Sequence, residues 1–168
     1  ILAHNDWKRP IYFVTGYHND AMGLEEYFQL EGLAYRLVPI KSQNKSWMDY
    51  GRIDSDILYE NMMNKFSWRG AGDPDVNIDY NHKRTLLVVK ARYNHARLAK
   101  ALVSEGKNEK ATEVLDHCMK TFPVEKIAYD MYIPDIVEAY FATGDSAKAN
   151  SLATAMTDYY FEKLDYYL

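Results

Sequence analysis

A single cysteine, Cys118, occurs in the 168-residue chain. That excludes an intramolecular disulfide and any metal site built from several thiolates. Long apolar runs are also missing. None approaches the roughly 18–20 residues needed to span a bilayer, so this chain is not expected to insert into a membrane. Positive charge is in deficit: 20 Lys and Arg stand against 24 Asp and Glu, a net charge of −4. With no basic cluster anywhere, a nucleic-acid partner is excluded. There is no glycine-rich phosphate loop, no Gly-x-Ser-x-Gly elbow and no His-Glu-x-x-His, so no cofactor, metal or catalytic residue is expected. No basic-apolar-small leader opens the chain. Its first residues run from Ile1 into "WKRPIYFVTG", which reads as the interior of a longer protein.

What is present is an ordinary globular composition, 48% hydrophobic and 26% charged, in a length suited to one domain or two small ones. Residues 11–15 are β-branched and aromatic between Pro10 and Gly16, the pattern of a buried strand. Residues 22–30 place apolar side chains at 24, 27, 28 and 30, with Glu25 and Glu26 early, which predicts a short helix stopped by Gly32. Residues 34–40 alternate as a second strand. The expected unit is βαβ-like, with parallel strands and a right-handed crossover. After a polar loop at 41–51, Asp54 or Ser55 is placed to cap a helix carrying Ile57, Leu58, Met62, Met63 and Phe66, ending near Trp68. The stretch "RGAGDPDVN" marks an internal boundary near residue 80. The expected segments are thus 1–80 and 81–168.

From Lys83 onward the pattern is helical and repeats. Gly106 and Gly144, 38 residues apart, each follow an apolar helix and precede a small residue five positions later, Ala111 and Ala149. Leu98, Ala99 and Leu102 before the first glycine match Ile136, Val137 and Tyr140 before the second. Leu115 and Cys118 match Ala153 and Met156 after it. Small residues suit close helix crossings, and glycine suits a backbone reversal. This pattern resembles the tetratricopeptide repeat, with His95 and Ile133 at the position often held by Trp. Pro134 falls in a first helical turn, where its missing N–H costs little. Two such hairpins are fewer than the three usually needed for a self-supporting stack. A last helix bearing Leu152, Met156, Tyr160, Leu164 and Tyr167 is expected to cap them. The fold class is therefore mainly α (α+β): tetratricopeptide-like helical hairpins with a small N-terminal βαβ-like segment.

Candidate sites are few. Asp54-Ser55-Asp56 and Asp73-Pro74-Asp75 spell Asp-x-Asp, a pattern whose carboxylates can hold a hard cation. Both also sit where Asp serves as a cap or turn residue, which is the expected use here. The five histidines show no ligand spacing, and Cys118 occupies a small-residue position that should be buried and inert. Fifteen tyrosines are the compositional oddity. Tyr93, Tyr129, Tyr132 and Tyr140, on or leading into the first helices of the hairpins, are the expected lining of a concave binding groove. Tyr159 and Tyr166, seven apart, form a candidate second aromatic patch.

Taken in order, "WKRPIYFVTG", "GLEEYFQLEGLAYRLVPIK", "DSDILYENMMNKFSWRG", "DPDV" and the tail "YFEKLDYYL" resemble a bacterial family of multi-spanning membrane proteins related to protein O-mannosyltransferases. Members carry a soluble C-terminal region with tetratricopeptide-like repeats. The resemblance implies a parent protein with a glycosyltransferase-like membrane domain whose catalytic acids lie outside this chain. It also implies a location on the extracytoplasmic, periplasmic face of the inner membrane. On this basis the chain is expected to be a non-catalytic binding or scaffolding module. Its partner would be a protein or peptide, the parent's own membrane domain included. The alternatives are a carbohydrate or glycolipid-binding accessory domain, which requires exposed Tyr or Trp faces flanked by carboxylates, and an independent enzyme using the Asp-x-Asp carboxylates.

Overall fold

A computed structural model describes residues 4, 6–14, 21–42, 51–83 and 90–167. It is mainly helical with a small sheet near the N-terminus, and it divides into two compact units, Ile1–Lys65 and Phe66–Leu168. The boundary expected near residue 80 falls earlier because the Gly- and Asp-rich stretch is held by the helices after it. Trp68 stands edge-on to Phe122 at 5.3 Å, and the Lys126 ammonium donates to the Val76 carbonyl at 2.7 Å.

In the first unit, β1 (Tyr12–Val14), β2 (Phe28–Leu30), β3 (Ala34–Leu37) and β4 (Arg52–Ile53) form one sheet in the order β1-β3-β2-β4. β1 and β2 both run antiparallel to β3, and β4 runs parallel to β2. The βαβ-like expectation is thus corrected: residues 22–30 are not a helix, and the strands on either side of them are antiparallel neighbours. Met22 and Gly23 take φ of 53° and 76°, left-handed values from which a right-handed helix cannot start. Only one 3-10 turn, Glu25–Tyr27, remains of the expected helix. Gly32, with φ 119°, opens the two-residue loop of a β2–β3 hairpin instead of ending a helix. The Glu31 N–H closes that loop on the Ala34 carbonyl at 3.0 Å. Thr15 and most of the expected loop, residues 43–50, lie outside the described residues.

One face of this sheet is apolar. Phe28, Leu30, Tyr35 and Leu37 are buried, with Phe28 between the rings of Phe13 at 4.8 Å and Tyr35 at 5.5 Å. Helix α1 (Ser55–Tyr59) follows, capped by the Asp54 carboxylate, which accepts from the Ile57 N–H at 3.2 Å. The chain then widens into a π-helical turn, Glu60–Lys65. Leu58 and Met62, one turn apart, are its fully buried residues, and the Asn61 amide donates to the Glu31 carbonyl at 3.0 Å.

The second unit contains the short α2 (Tyr80–His82), then α3 (Tyr93–Ser104), α4 (Asn108–Thr121), α5 (Ile133–Thr143) and α6 (Ser146–Tyr167). α3 packs on α4 and α5, α4 on α5, and α5 on α6. The two hairpins turn in the same way. After α3, the Gly106 N–H donates to Val103 O and the Lys107 N–H to Leu102 O, both at 2.9 Å; after α5, Gly144 N–H reaches Phe141 O at 3.0 Å and Asp145 N–H reaches Tyr140 O at 3.1 Å. These are the paired bonds of a Schellman ending. The two glycines have φ of 75° and 93°, and open space lies where a Cβ would be. Backbone conformation alone therefore calls for glycine. Leu98, Ala99, Leu102, Ala111, Leu115, Cys118, Ile133, Ile136, Ala139 and Ala149 are all fully buried. Pro134 sits in the first turn of α5.

A buried arginine fixes the linker between hairpins. Arg92 Nη2 donates to the carbonyls of Phe122 at 2.6 Å and Ile127 at 2.5 Å, and Nη1 to Ala128 O at 2.9 Å and Asp130 Oδ2 at 2.6 Å. One planar guanidinium thereby bonds three backbone carbonyls and the Asp130 carboxylate, whose other oxygen accepts from the Tyr132 N–H at 2.7 Å.

Candidate functional site

The four tyrosines expected to line one groove do not converge. Tyr132 and Tyr140 are buried, so they belong to the core and not to an open surface. Tyr93 and Tyr132 meet at 4.6 Å between ring centroids. Tyr129 turns to Tyr159 at 5.1 Å. Tyr140 donates its hydroxyl to Asp116 Oδ1 at 2.9 Å; burial, then this hydrogen bond, raises its phenol above the ordinary range. The Lys148 ammonium completes that cluster, reaching both Asp116 oxygens at 2.8 and 2.9 Å. The physical reason is stripe geometry: in hairpins packed on both sides, the first helices turn their large rings inward.

The other sequence candidates resolve locally. Asp54 is the cap of α1, and Asp56 lies in its first turn, where negative charge suits the helix dipole. Asp73 accepts from the Asp75 N–H at 3.0 Å, an Asx turn. The two Asp-x-Asp motifs belong to different units. Cys118 is fully buried, and burial pushes its thiol up to about 12, far from the thiolate that nucleophilic or ligand chemistry needs. His95 and His117 stack with centroids 5.5 Å apart. His95 Nδ1 lies 2.8 Å from the Ala91 carbonyl, so that nitrogen carries the proton and Nε2 accepts from His117 Nδ1 at 3.3 Å. Among the described residues, no group of three or more His, Cys, Asp or Glu is placed to hold a metal ion.

Sequence reasoning missed the polar face of the sheet. Strand register sets Tyr12 opposite Arg36, Arg36 opposite Gln29, and Gln29 opposite Arg52. One row across all four strands is therefore planar and polar. Beside it, Glu31 is only 8% exposed. It accepts from the Tyr12 hydroxyl at 2.8 Å and the Gln29 amide at 2.8 Å, and it pairs with Arg36 Nη1 at 3.6 Å. Arg52 Nη1 donates to Gln29 Oε1 and lies 3.8 Å from Asp54 Oδ2. Burial, followed by the bond to Glu31, raises the Tyr12 phenol above its ordinary value. The available signal was period-2 alternation in Phe28-Gln29-Leu30-Glu31, which a helical reading of residues 22–30 obscures.

Two surfaces of the second unit stand apart from these clusters. The stripe of α6 continues past its packed half. Ala149 is fully buried and Leu152 and Met156 half-buried, whereas Tyr160, Phe161, Leu164 and Tyr167 are exposed. α6 has 22 residues against 11 for α5. At about 1.5 Å per residue, α6 outruns α5; its packing reaches Tyr159, whose ring meets Tyr129, and Tyr160, whose hydroxyl donates to the Tyr129 carbonyl at 3.2 Å, and the expected capping stops there. The candidate pair Tyr159 and Tyr166 separates: Tyr166 is exposed, while Tyr159 is half-buried with Lys163 Nζ 4.6 Å above its ring. Elsewhere, an open concavity of about 500 Å³ is lined by Asp75, Lys83, Glu125 and Lys126 among others. The Lys126 ammonium there is committed to the Val76 carbonyl.

A family model, TMEM260-associated domain 2, matches residues 1–57. It belongs to a family linked to TMEM260, a protein O-mannosyltransferase-like protein. The matched segment contains all four strands, the polar row and the Asp54 cap. No curated protein and no solved structure matches the chain.

Proposed function

We propose that this chain is a non-catalytic accessory module of a membrane glycosyltransferase-like protein, and that its helical hairpins, of tetratricopeptide type, dock a protein or peptide partner on the extracytoplasmic side. The match of residues 1–57 supports the glycosyltransferase link. The docking role is carried by the exposed end of α6, in which Phe161, Leu164 and Tyr167 lie beyond Tyr160, the last of its residues bonded to the segment before α5. An amphipathic helix laid in line with α5 would cover it as α5 covers the first half. The favoured occupant is the membrane domain of the parent chain.

The reading also supplies no chemistry of the chain's own, because Asp54 and Asp73 are engaged as cap and turn residues. Its test is a photocrosslinking side chain at Leu164 or Phe161 in the full-length parent protein in its membrane. An adduct with the parent's membrane region or with a defined second protein is expected. Leu164→Ser should weaken that partner's retention while shifting unfolding free energy by no more than about 0.5 kcal/mol, as at other exposed positions. Absence of any adduct from either position would set the docking role aside.

A further inference from the structure

Charge is spread unevenly over the exposed end of α6. From residue 158 to residue 167 it holds three acids, Asp158, Glu162 and Asp165, and one base, Lys163. Spaced four and three apart, the acids form a single row along the helix. At roughly 100° per residue, they lie about 40° to 100° to one side of Phe161, whereas Leu164 and Tyr167 lie about 60° and 120° to the other. The row therefore borders the apolar residues along one edge. Phe161, Leu164 and Tyr167 are 62%, 54% and 80% exposed. All three acids are exposed too, and among the described residues none is paired with a base. Lys163 is turned away from them, its ammonium held 4.6 Å from the centre of the Tyr159 ring.

The row is unfavourable for the helix by itself. Like charges three or four apart repel along a helix, and negative charge near a C-terminus adds to the negative end of the backbone dipole. Asp165 stands in the last turn of α6, which holds no basic residue. Packing does not call for the acids either, because Ala149, Ala153 and Met156, the residues turned inward, lie on the far side of the helix.

Resting on the docking role proposed above, we propose that the occupant of this end is a basic amphipathic helix. Its apolar side chains, three and four apart, cover Phe161, Leu164 and Tyr167, and Lys or Arg along one edge meet Asp158, Glu162 and Asp165. A basic edge turns a repulsive row into ion pairs at the rim of the contact, while an acidic edge adds to the repulsion. Lys163 stands across the apolar residues from the acids, so the partner's positive charge belongs on one edge alone. A second copy of α6 laid antiparallel about a two-fold axis sets this acidic edge against its own counterpart, which disfavours self-pairing.

The test uses the full-length parent protein in its membrane, with a photocrosslinking side chain at Leu164 and the captured segment identified by mass spectrometry. The expected adduct lies in a segment of helical apolar period with Lys or Arg along one edge. A triple variant, Asp158→Asn with Glu162→Gln and Asp165→Asn, should lower the adduct yield about tenfold at low salt. Sodium chloride at about 0.5 M should bring the unsubstituted protein's yield down towards that of the variant. The same substitutions should leave helical circular dichroism unchanged and the urea midpoint equal or higher, since they remove repulsion within α6; a purely structural role for the acids would lower it. Glu109→Gln, at an exposed acid of α4, should change neither readout. An adduct indifferent to the triple variant and to salt, or one mapping to a segment without a basic edge or to a second copy, overturns the basic helix and leaves the docking role standing. Adducts with lipid alone, or none, overturn both.

Discussion

His95 shows how a residue with a familiar functional role can be wholly structural. It is fully buried against Trp68, His117 and Phe122, and burial depresses its imidazole from 6.5 to about 4. Above pH 6.5 the ring is neutral in both folded and unfolded chains, and its packing is fully expressed. As pH falls from 6.5 towards 4, the unfolded chain takes up a proton that the folded one refuses, so stability declines through that window and levels off below it. The size is about 3 kcal/mol, from 1.36 kcal/mol per pH unit. Burial also lowers His117, the partner ring, which acts in the same direction. Urea unfolding at pH 7.5 and 4.5 should therefore differ by a few kcal/mol, and His95→Leu should remove most of the difference. An unchanged slope in that variant would show that the acid sensitivity arises elsewhere. From sequence, the lack of ligand spacing already argued against a metal role for the histidines. The stacking of residues 22 apart and the carbonyl that selects the tautomer required three dimensions.

At the scale of elements, hairpin turns and sheet topology differ in how far they could be read in advance. Gly106 and Gly144 were legible because a Schellman ending is local: a left-handed glycine, two backbone bonds and a small residue five positions on all lie within one short window. Each glycine is open to a Cβ, so replacement by Ala should cost only the left-handed strain, roughly 1–2 kcal/mol. The two costs should add to within about 0.5 kcal/mol, since the turns are distinct sites. Chemical denaturation of the single and double variants measures this, and a clearly super-additive loss would mean that the turns are coupled. Strand pairing is not local. Residues 22–30 fit a helical stripe, and what excluded the helix was the left-handed pair Met22–Gly23 together with the demand of β3 for antiparallel neighbours on both sides. Reading that segment with period 3.6 instead of 2 also hid the polar row, since Gln29 and Glu31 lie on one face only in a strand.

For the molecule as a whole, the informative fact is that each unit carries its own core. Leu30, Leu58 and Met62 are fully buried in the first, and Leu98, Leu102, Leu115, Ile133 and Ile136 in the second. Residues 66–168 expressed alone should accordingly unfold cooperatively and show strong helical circular dichroism; a fragment lacking both would show that its core needs residues 1–65. The same fragment begun at residue 81 should be less stable, because it discards Trp68 and the Val76 carbonyl that accepts from Lys126. What the sequence determined by itself was fold class, the two glycine turns, a helix cap at Asp54 or Ser55, the buried cysteine and the small residues at helix crossings. These depend on propensity, period and spacing within a few turns of chain. Tertiary structure alone decided the strand order, the burial of Tyr132 and Tyr140, the Arg92 clamp on the linker, and the gathering of Tyr12, Gln29, Arg36 and Arg52 into one row. Those outcomes join residues up to about 40 positions apart, and no local pattern encodes which of several apolar or polar faces will meet when the chain closes on itself.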